Sequence, residues 1–158
     1  MNDRLLAQIK SLLAAKGIEF KELEHPPTRT SEESAAARNE ELGVGAKAIV
    51  LRTDDVFRLF VLPADMRLDS AAVKRHLGVK RIRFATTEEL VALADLVPGA
   101  VPPFGEPLLP LELFADTELG ARYPRIAFNA GALTVSIIMS ASDWESVARP
   151  KRFQFAKA

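Results

Sequence analysis

The stretch KAIVLRTDDVFRLFVL, Lys47 to Leu62, decides the fold. Its two halves, Lys47 to Arg52 and Val56 to Leu62, are β-branched or aliphatic, and Thr53-Asp54-Asp55 separates them, so the stretch predicts a β-hairpin. Strand alternation puts Ala46, Ala48 and Val50 on one face and Lys47, Ile49 and Leu51 on the other, so a lysine shares a face with aliphatic side chains. A lysine so placed either aims its ammonium into a pocket at the mouth of the strand or guards a sheet edge against aggregation. Periodicity leaves both readings open.

Working towards the N-terminus, Leu5, Ile9 and the Leu12/Leu13 pair recur at helical spacing, and Gly17 follows as a stop. Ile18, Phe20 and Leu23 predict a strand that runs into His25-Pro26-Pro27. Thr30 and Glu33 form a capping box ahead of an alanine-rich helix, which Gly43 is expected to close. Towards the C-terminus, Asp69 caps a helix ending at Gly78, and Arg81 to Ala85 reads as a strand. Thr86 and Glu89 open a further helix. Strand-like runs at Leu109 to Ala115, Arg125 to Asn129 and Leu133 to Met139 complete a sheet, and Ser142 with Glu145 is expected to cap a last helix. Residues 1–158 therefore read as one α/β domain with a mixed, largely antiparallel sheet.

Composition removes whole classes of chemistry. The chain has no cysteine, hence no disulfide, thiolate nucleophile or sulfur-ligated zinc, and with His25 and His76 as its two histidines no metal and no cofactor are expected. No Ser-His-Asp order, P-loop or dinucleotide glycine pattern is present. Formal net charge is zero, so any nucleic acid must meet a local patch. Lys74, Arg75, Lys80, Arg81 and Arg83 lie close together in sequence and are candidates for contacting an RNA backbone. No apolar run is long enough to cross a bilayer and the first residues do not read as a signal peptide, so a cytoplasmic location without membrane partners is expected.

Other residues carry candidate chemistry. Pro98 to Gly105 packs three prolines and two glycines into eight positions, a stiff loop that can present amides closely to a ligand or simply connect two elements. Asn129 either serves a turn or offers its amide to a ribose or an amino acid. Ser136 is a hydroxyl within an apolar strand and needs a partner. His25 precedes proline in an extended segment, and as a general base it would need a partner that the sequence does not specify.

Taken together these segments resemble the YbaK/ProX family, free-standing relatives of the editing domain inserted in bacterial prolyl-tRNA synthetase. The resemblance covers nearly the whole chain. It rests on His25, the Thr30-Ser31-Glu32 helix start, Gly45-Ala46-Lys47-Ala48, Leu62-Pro63-Ala64-Asp65, Gly99-Ala100-Val101-Pro102-Pro103 and Phe128-Asn129-Ala130-Gly131. It implies a mixed sheet curled into a partial barrel and flanked by helices, and it implies an essential lysine at Lys47 with a Gly-x-x-x-Pro loop at Gly99 to Pro103. The loop and the Phe-Asn-Ala-Gly segment are similar to the YeaK-type branch, associated with removing Ser or Thr from tRNA. The expected activity is hydrolysis of the ester of mischarged tRNA carrying Ser or Thr, with Ala next.

The catalytic positions under this reading are Lys47 and Gly99, with a loop amide at Gly99 or Ala100 donating to developing charge. Substrate-binding positions are His25, Thr30, Ala100, Val101, Pro102, Pro103, Phe104, Asn129, Gly131 and Ser136. Partners are mischarged tRNA and an aminoacyl-tRNA synthetase, with no DNA. Two other readings compete: a non-catalytic tRNA- or synthetase-binding module using the same groove, and an esterase or amidase of free small molecules, which lacks a nucleophile and base pair.

Overall fold

The computed structural model describes residues 2–158. The hairpin forms as expected, β2 (Ala46–Thr53) pairing antiparallel with β3 (Val56–Pro63) from Thr53 opposite Val56 to Ala46 opposite Pro63. Asp54 takes a positive φ of 53° at the turn, a conformation that aspartate tolerates better than most residues. Both faces of the hairpin are covered. Ala46, Val50, Leu59 and Val61 enter the main core, whereas Leu51, Phe60 and Leu62 enter a second cluster with Val73, Phe114, Phe153 and Phe155. Double burial explains why the strands are nearly continuous apolar runs.

Around the hairpin the order is α1 (Asp3–Ala15), β1 (Phe20–Glu24), α2 (Ser31–Arg38), β2, β3, β4 (Arg67–Leu68), α3 (Ser70–Leu77), β5 (Ile82–Phe84) and α4 (Thr87–Ala94). After these come β6 (Glu112–Asp116), β7 (Arg125–Asn129), β8 (Val135–Ser140), α5 (Ala141–Ala148), β9 (Lys151–Phe153) and β10 (Ala156–Lys157). A five-stranded sheet runs β5-β2-β3-β6-β9, a three-stranded one β1-β8-β7, and β10 pairs with β4. Most pairs are antiparallel, and β3–β6 and β6–β9 are parallel. An isolated bridge from Gly45 to Ala127 joins the two larger sheets. α1 lays Leu5, Ile9 and Leu13 on the main core, and α5 inserts Trp144.

Both predicted capping boxes are present, Thr30 with Glu33 and Thr86 with Glu89, and Asp69 caps α3. Two helix boundaries differ from expectation. α2 ends at Arg38, not at Gly43, because Asn39 adopts the left-handed conformation at φ 54° and its N–H closes the last turn; Gly43 lies in a following 3₁₀ turn (Leu42–Val44). The last helix is capped by Ser140, whose side chain accepts from the Asp143 amide, and Ser142 lies inside it. The expected run Leu109 to Ala115 becomes a strand only from Glu112.

Sequence patterning misses the short β4, β9 and β10. The start of β10 is held from elsewhere in the chain: the fully buried Asp116 carboxylate accepts the N–H groups of Phe155 at 2.7 Å and Ala156 at 2.8 Å. No described helix is long and apolar enough to cross a membrane.

Candidate active site

The cavity is a consequence of how β2 is paired. Its far end is closed by β5, which matches Leu51 to Phe84 and Thr53 to Ile82, and the Ala85 N–H reaches the Val50 carbonyl at 2.9 Å. At its near end Gly45 bridges to Ala127. Between these points the edge has no strand beside it, and Ala46, Lys47, Ala48, Ile49 and Val50 all line a cavity of about 450 Å³. Alternation that sends the Val50 carbonyl towards β5 sends the N–H and carbonyl of Ala48 the same way, into the gap.

Lys47 stands at the beginning of that edge. Its Nζ donates to the Met66 carbonyl at 3.2 Å, an acceptor delivered by the tight turn in which the Met66 N–H bonds the Pro63 carbonyl. Burial pushes the ammonium below the ordinary lysine value of 10.5, and the carboxylates of Glu32 and Asp65 oppose that shift. Asp65 itself is held in a two-pronged ion pair by Arg122 at 2.7 and 2.8 Å. The two sequence readings for Lys47 are pocket mouth and edge guard; the residue is half-buried and is among those that line the cavity.

The proline-rich loop divides into two parts. Pro98, Gly99 and Val101 line the cavity. Gly99 has φ 88°, a conformation that favours glycine, and a Cβ there would stand 3.2 Å from the Leu133 side chain. Its N–H has no acceptor among the described residues. The Ala100 N–H is already bonded to the Val97 carbonyl at 3.1 Å, which removes it as a donor to substrate.

Pro102, Pro103 and Phe104 were expected to touch substrate, but they are buried away from the cavity. Phe104 packs edge-on against Phe128 with ring centroids 5.6 Å apart, and the Pro103 carbonyl accepts the Trp144 indole N–H at 2.8 Å. Apolar packing competes with ligand contact for the same residues, and here packing wins. Gly131, at φ 85°, donates its N–H to the Ala100 carbonyl and so acts as a brace for the loop.

Beneath the cavity lies a buried polar chain. His25 Nε2 is 2.8 Å from Ser136 Oγ, which also accepts from Arg38 Nε at 2.8 Å and lies 3.2 Å from Asn129 Oδ1. Arg38 Nη2 donates to Asn129 Oδ1 at 3.1 Å, and Asn129 Nδ2 donates to the Gly99 carbonyl at 2.9 Å. Because guanidinium nitrogens only donate, the amide oxygen of Asn129 must face Arg38, and its nitrogen is left for Gly99. The unspecified partner of His25 is thus Ser136. His25 and Ser136 support the cavity from behind and do not line it, whereas Thr30, Lys47, Gly99, Val101 and Asn129 do.

Sequence reasoning missed several lining residues: Thr28, Ser34, Arg38 and the rim residue Phe84, 62% exposed. The available signal was Ser34 and Arg38 at i, i+4 spacing, a polar pair on the inner face of α2. Arg38 reads in isolation as a favourable charge in a last helical turn.

The basic cluster is only partly assembled. Lys80, Arg81 and Arg83 join Arg52 around a second groove apart from the cavity, but Asp54 and Asp55 line it too. Asp54 accepts the backbone N–H groups of Lys80 and Arg81, and Glu89 holds Arg83 at 2.7 and 2.9 Å. Lys74 and Arg75 are in the last turn of α3 and do not line that groove. Asp54, distant in sequence, and Glu89, six residues beyond Arg83, therefore dilute a patch that looked purely basic.

Fold and cavity together define a small α/β domain with an open cavity beside a sheet edge. The sequence matches the aminoacyl-tRNA editing domain family over residues 25–147, and the chain belongs to that family. It is similar to the multifunctional Ser/Thr-tRNA deacylase ProXp-y of Escherichia coli K12, at 34% identity over 99% of this chain and 93% of that protein. A proline–tRNA ligase of Shouchella clausii is 34% identical over 58% of this chain, a stretch that makes up 16% of the ligase. The fold superposes on a crystal structure of a candidate trans-editing enzyme for prolyl tRNA synthetase with a TM-score of 0.83, at 26% identity and 97% coverage of each chain.

Proposed function

We propose that the chain is a trans-editing deacylase that hydrolyses the ester of mischarged tRNA carrying a small amino acid, Ser or Thr before Ala. The observation that carries this reading is that Lys47, half-buried at an open strand edge, lines one cavity with the Gly99 loop. At about 450 Å³ the cavity exceeds what a serine side chain needs, so an aminoacyl group and its ribose enter together. Small alkyl groups of Ala46, Ala48, Ala64 and Val101 limit the side chain's size, and the hydroxyls of Thr28, Thr30, Ser31 and Ser34 supply partners for a substrate hydroxyl. Such a second sieve is useful because one methylene discriminates by only about 1–3 kcal/mol in a synthetase.

Water is the nucleophile, and the chain acts by positioning and electrostatics. Anchored on the Met66 carbonyl, Lys47 retains two ammonium protons for the terminal ribose and phosphate. Phe84 offers an exposed ring at the rim for the terminal base to stack on. Partners are mischarged tRNA and, through it, the synthetase that makes the error. The deciding experiment is release of Ser, Thr or Ala from mischarged tRNA by the purified protein. Tight tRNA binding without release from any charged tRNA would favour a non-catalytic module, and equal turnover of free amino-acid esters would favour a general esterase.

A further inference from the structure

Arg38 is a buried cation that no carboxylate neutralises. It is 9% exposed, at the last residue of α2. Its bonding partners, Ser136 Oγ through Nε and Asn129 Oδ1 through Nη2, are both neutral. No ion pair among the described residues includes it. Glu40, whose charge acts on Arg38, is occupied by Arg125 through contacts of 2.7 to 3.2 Å. Burial draws the guanidinium down to about 10, which leaves it charged at neutral pH.

One edge of that guanidinium is unused. Arg38 lines the cavity, and since no fully buried side-chain nitrogen or oxygen among the described residues lacks a partner, its Nη1, which has no acceptor among them, is open to solvent. It lies beside Gly45, where an added Cβ would come 3.7 Å from it. Gly45 lines the same cavity, which places Nη1 against its wall.

We infer that Arg38 is the oxyanion-binding residue of the site, its Nη1 edge receiving the carbonyl oxygen of the aminoacyl ester as that oxygen becomes negative. The inference rests on the deacylase reading and deepens it. A buried cation with only neutral partners gains most from a group whose negative charge grows during the reaction, and this differential is what accelerates a chemical step. The α-ammonium of the substrate is repelled. A phosphodiester is a permanent anion, but its flanking sugars fit the rim better than a recess reached by one guanidinium edge, whereas a carbonyl presents a single atom.

In the step, the water oxygen bonds the carbonyl carbon and the π pair moves to the carbonyl oxygen, held by Arg38. Collapse re-forms the C=O bond and breaks the bond to the ribose oxygen. That oxygen takes the proton lost by water, so free amino acid and a ribose hydroxyl leave. Ser136 and Asn129 act as positioning residues, fixing two of the three guanidinium nitrogens so that the third is aimed without reorganisation.

The test is single-turnover deacylation of Ser-tRNA and Ala-tRNA by the wild type, Arg38→Gln and Arg38→Lys, with binding of an amide-linked 3′-seryl adenosine as a readout independent of turnover. Arg38→Gln is expected to lower the rate constant on the order of 10²-fold to 10³-fold for both amino acids alike, with analogue affinity nearly unchanged and part of the rate recovered in Arg38→Lys. A loss confined to Ser-tRNA would make Arg38 a side-chain reader and overturn the inference. Weakened analogue binding at an unchanged rate would make it a ground-state anchor for the aminoacyl adenosine, with the same consequence. Should thermal melting show Arg38→Gln unfolded, Arg38→Lys and Ser136→Ala decide, and wild-type rates in both overturn the inference. A wild type inert on every charged tRNA would instead defeat the deacylase reading itself.

Discussion

The side-chain amide of Asn129 donates to the Gly99 carbonyl at 2.9 Å, tying the end of β7 to the proline-rich loop across 30 residues of chain. Its other end accepts from Arg38, so one small side chain couples the loop to the buried cation. Asn129→Asp separates these functions at nearly constant shape. The new carboxylate would give Arg38 a counter-ion and turn a second acceptor on the Gly99 carbonyl. The variant is expected to fold and to lose on the order of 10²-fold in deacylation rate, the scale of one lost oxyanion donor. Undiminished turnover in Asn129→Asp would show that the charge of Arg38 is not used.

Lys47 carries a burial penalty that function explains. Its folded pKa is lowered, so the unfolded chain binds the proton more tightly and the penalty is present in full at neutral pH. Stability therefore rises as pH climbs from the folded value towards 10.5. Lys47→Met is expected to melt no lower than the wild type at pH 7 while losing deacylation. If the charged ammonium is required, the enzyme-dependent rate, after subtraction of spontaneous hydrolysis, falls on an alkaline limb below 10.5, and Lys47→Arg moves that limb upwards. A Lys47→Met protein that melts far lower would make the lysine a structural residue.

The hairpin and the caps were legible because local chemistry decides them: Asp54 tolerates a positive φ, and Thr30 and Thr86 satisfy helix amides that nothing distant could reach. Lys47 was legible as an exception within an apolar run. Arg38 was not, because nothing local separates an arginine in a last helical turn that faces solvent from one that meets Asn129, 91 residues away. The proline-rich loop shows the opposite failure. Its composition pointed to a single ligand-facing surface, yet Phe128 and Trp144, supplied by distant elements, draw Phe104 and the Pro103 carbonyl inward and leave only Pro98, Gly99 and Val101 on the cavity.

Acid stability is set partly by Glu40, two residues beyond Arg38. The Arg125 guanidinium holds its carboxyl below the ordinary value of 4.5, and Arg122 holds that of Asp65 below its ordinary 3.8. For a depressed carboxylate the contribution is full above the unfolded value and disappears as pH falls through the folded one. The wild-type melting temperature is thus expected to drop below pH 4.5, and Glu40→Gln to give a shallower acid slope from a lower neutral starting point. Parallel slopes would remove Glu40 from this role.

Phe84 is a large apolar side chain left 62% exposed at the cavity rim, where no core contact accounts for it. If a terminal base stacks there, Phe84→Ala weakens binding of charged tRNA by about 1–3 kcal/mol and Phe84→Trp restores it. The single-turnover rate at saturation stays near that of the wild type, because stacking acts before the chemical step. Equal tRNA affinity in the alanine and tryptophan variants would exclude the platform.

Trp144 fixes the far end of the same loop. Fully buried on α5, it donates its indole N–H to the Pro103 carbonyl at 2.8 Å. Trp144→Phe keeps most of the apolar volume but leaves that carbonyl unpaired inside the protein, at about 1–3 kcal/mol. In a domain of this length each kcal/mol lowers the melting temperature by roughly 2–4 °C. Activity is expected to survive at temperatures well below the melt, since Asn129 still grips Gly99 from the cavity side. Combining Trp144→Phe with Asn129→Ala removes both grips, and the rate loss should then exceed the product of the two single losses. A strictly multiplicative result would mean that the two anchors hold the loop independently, and that a rigid Gly99 is not what connects them.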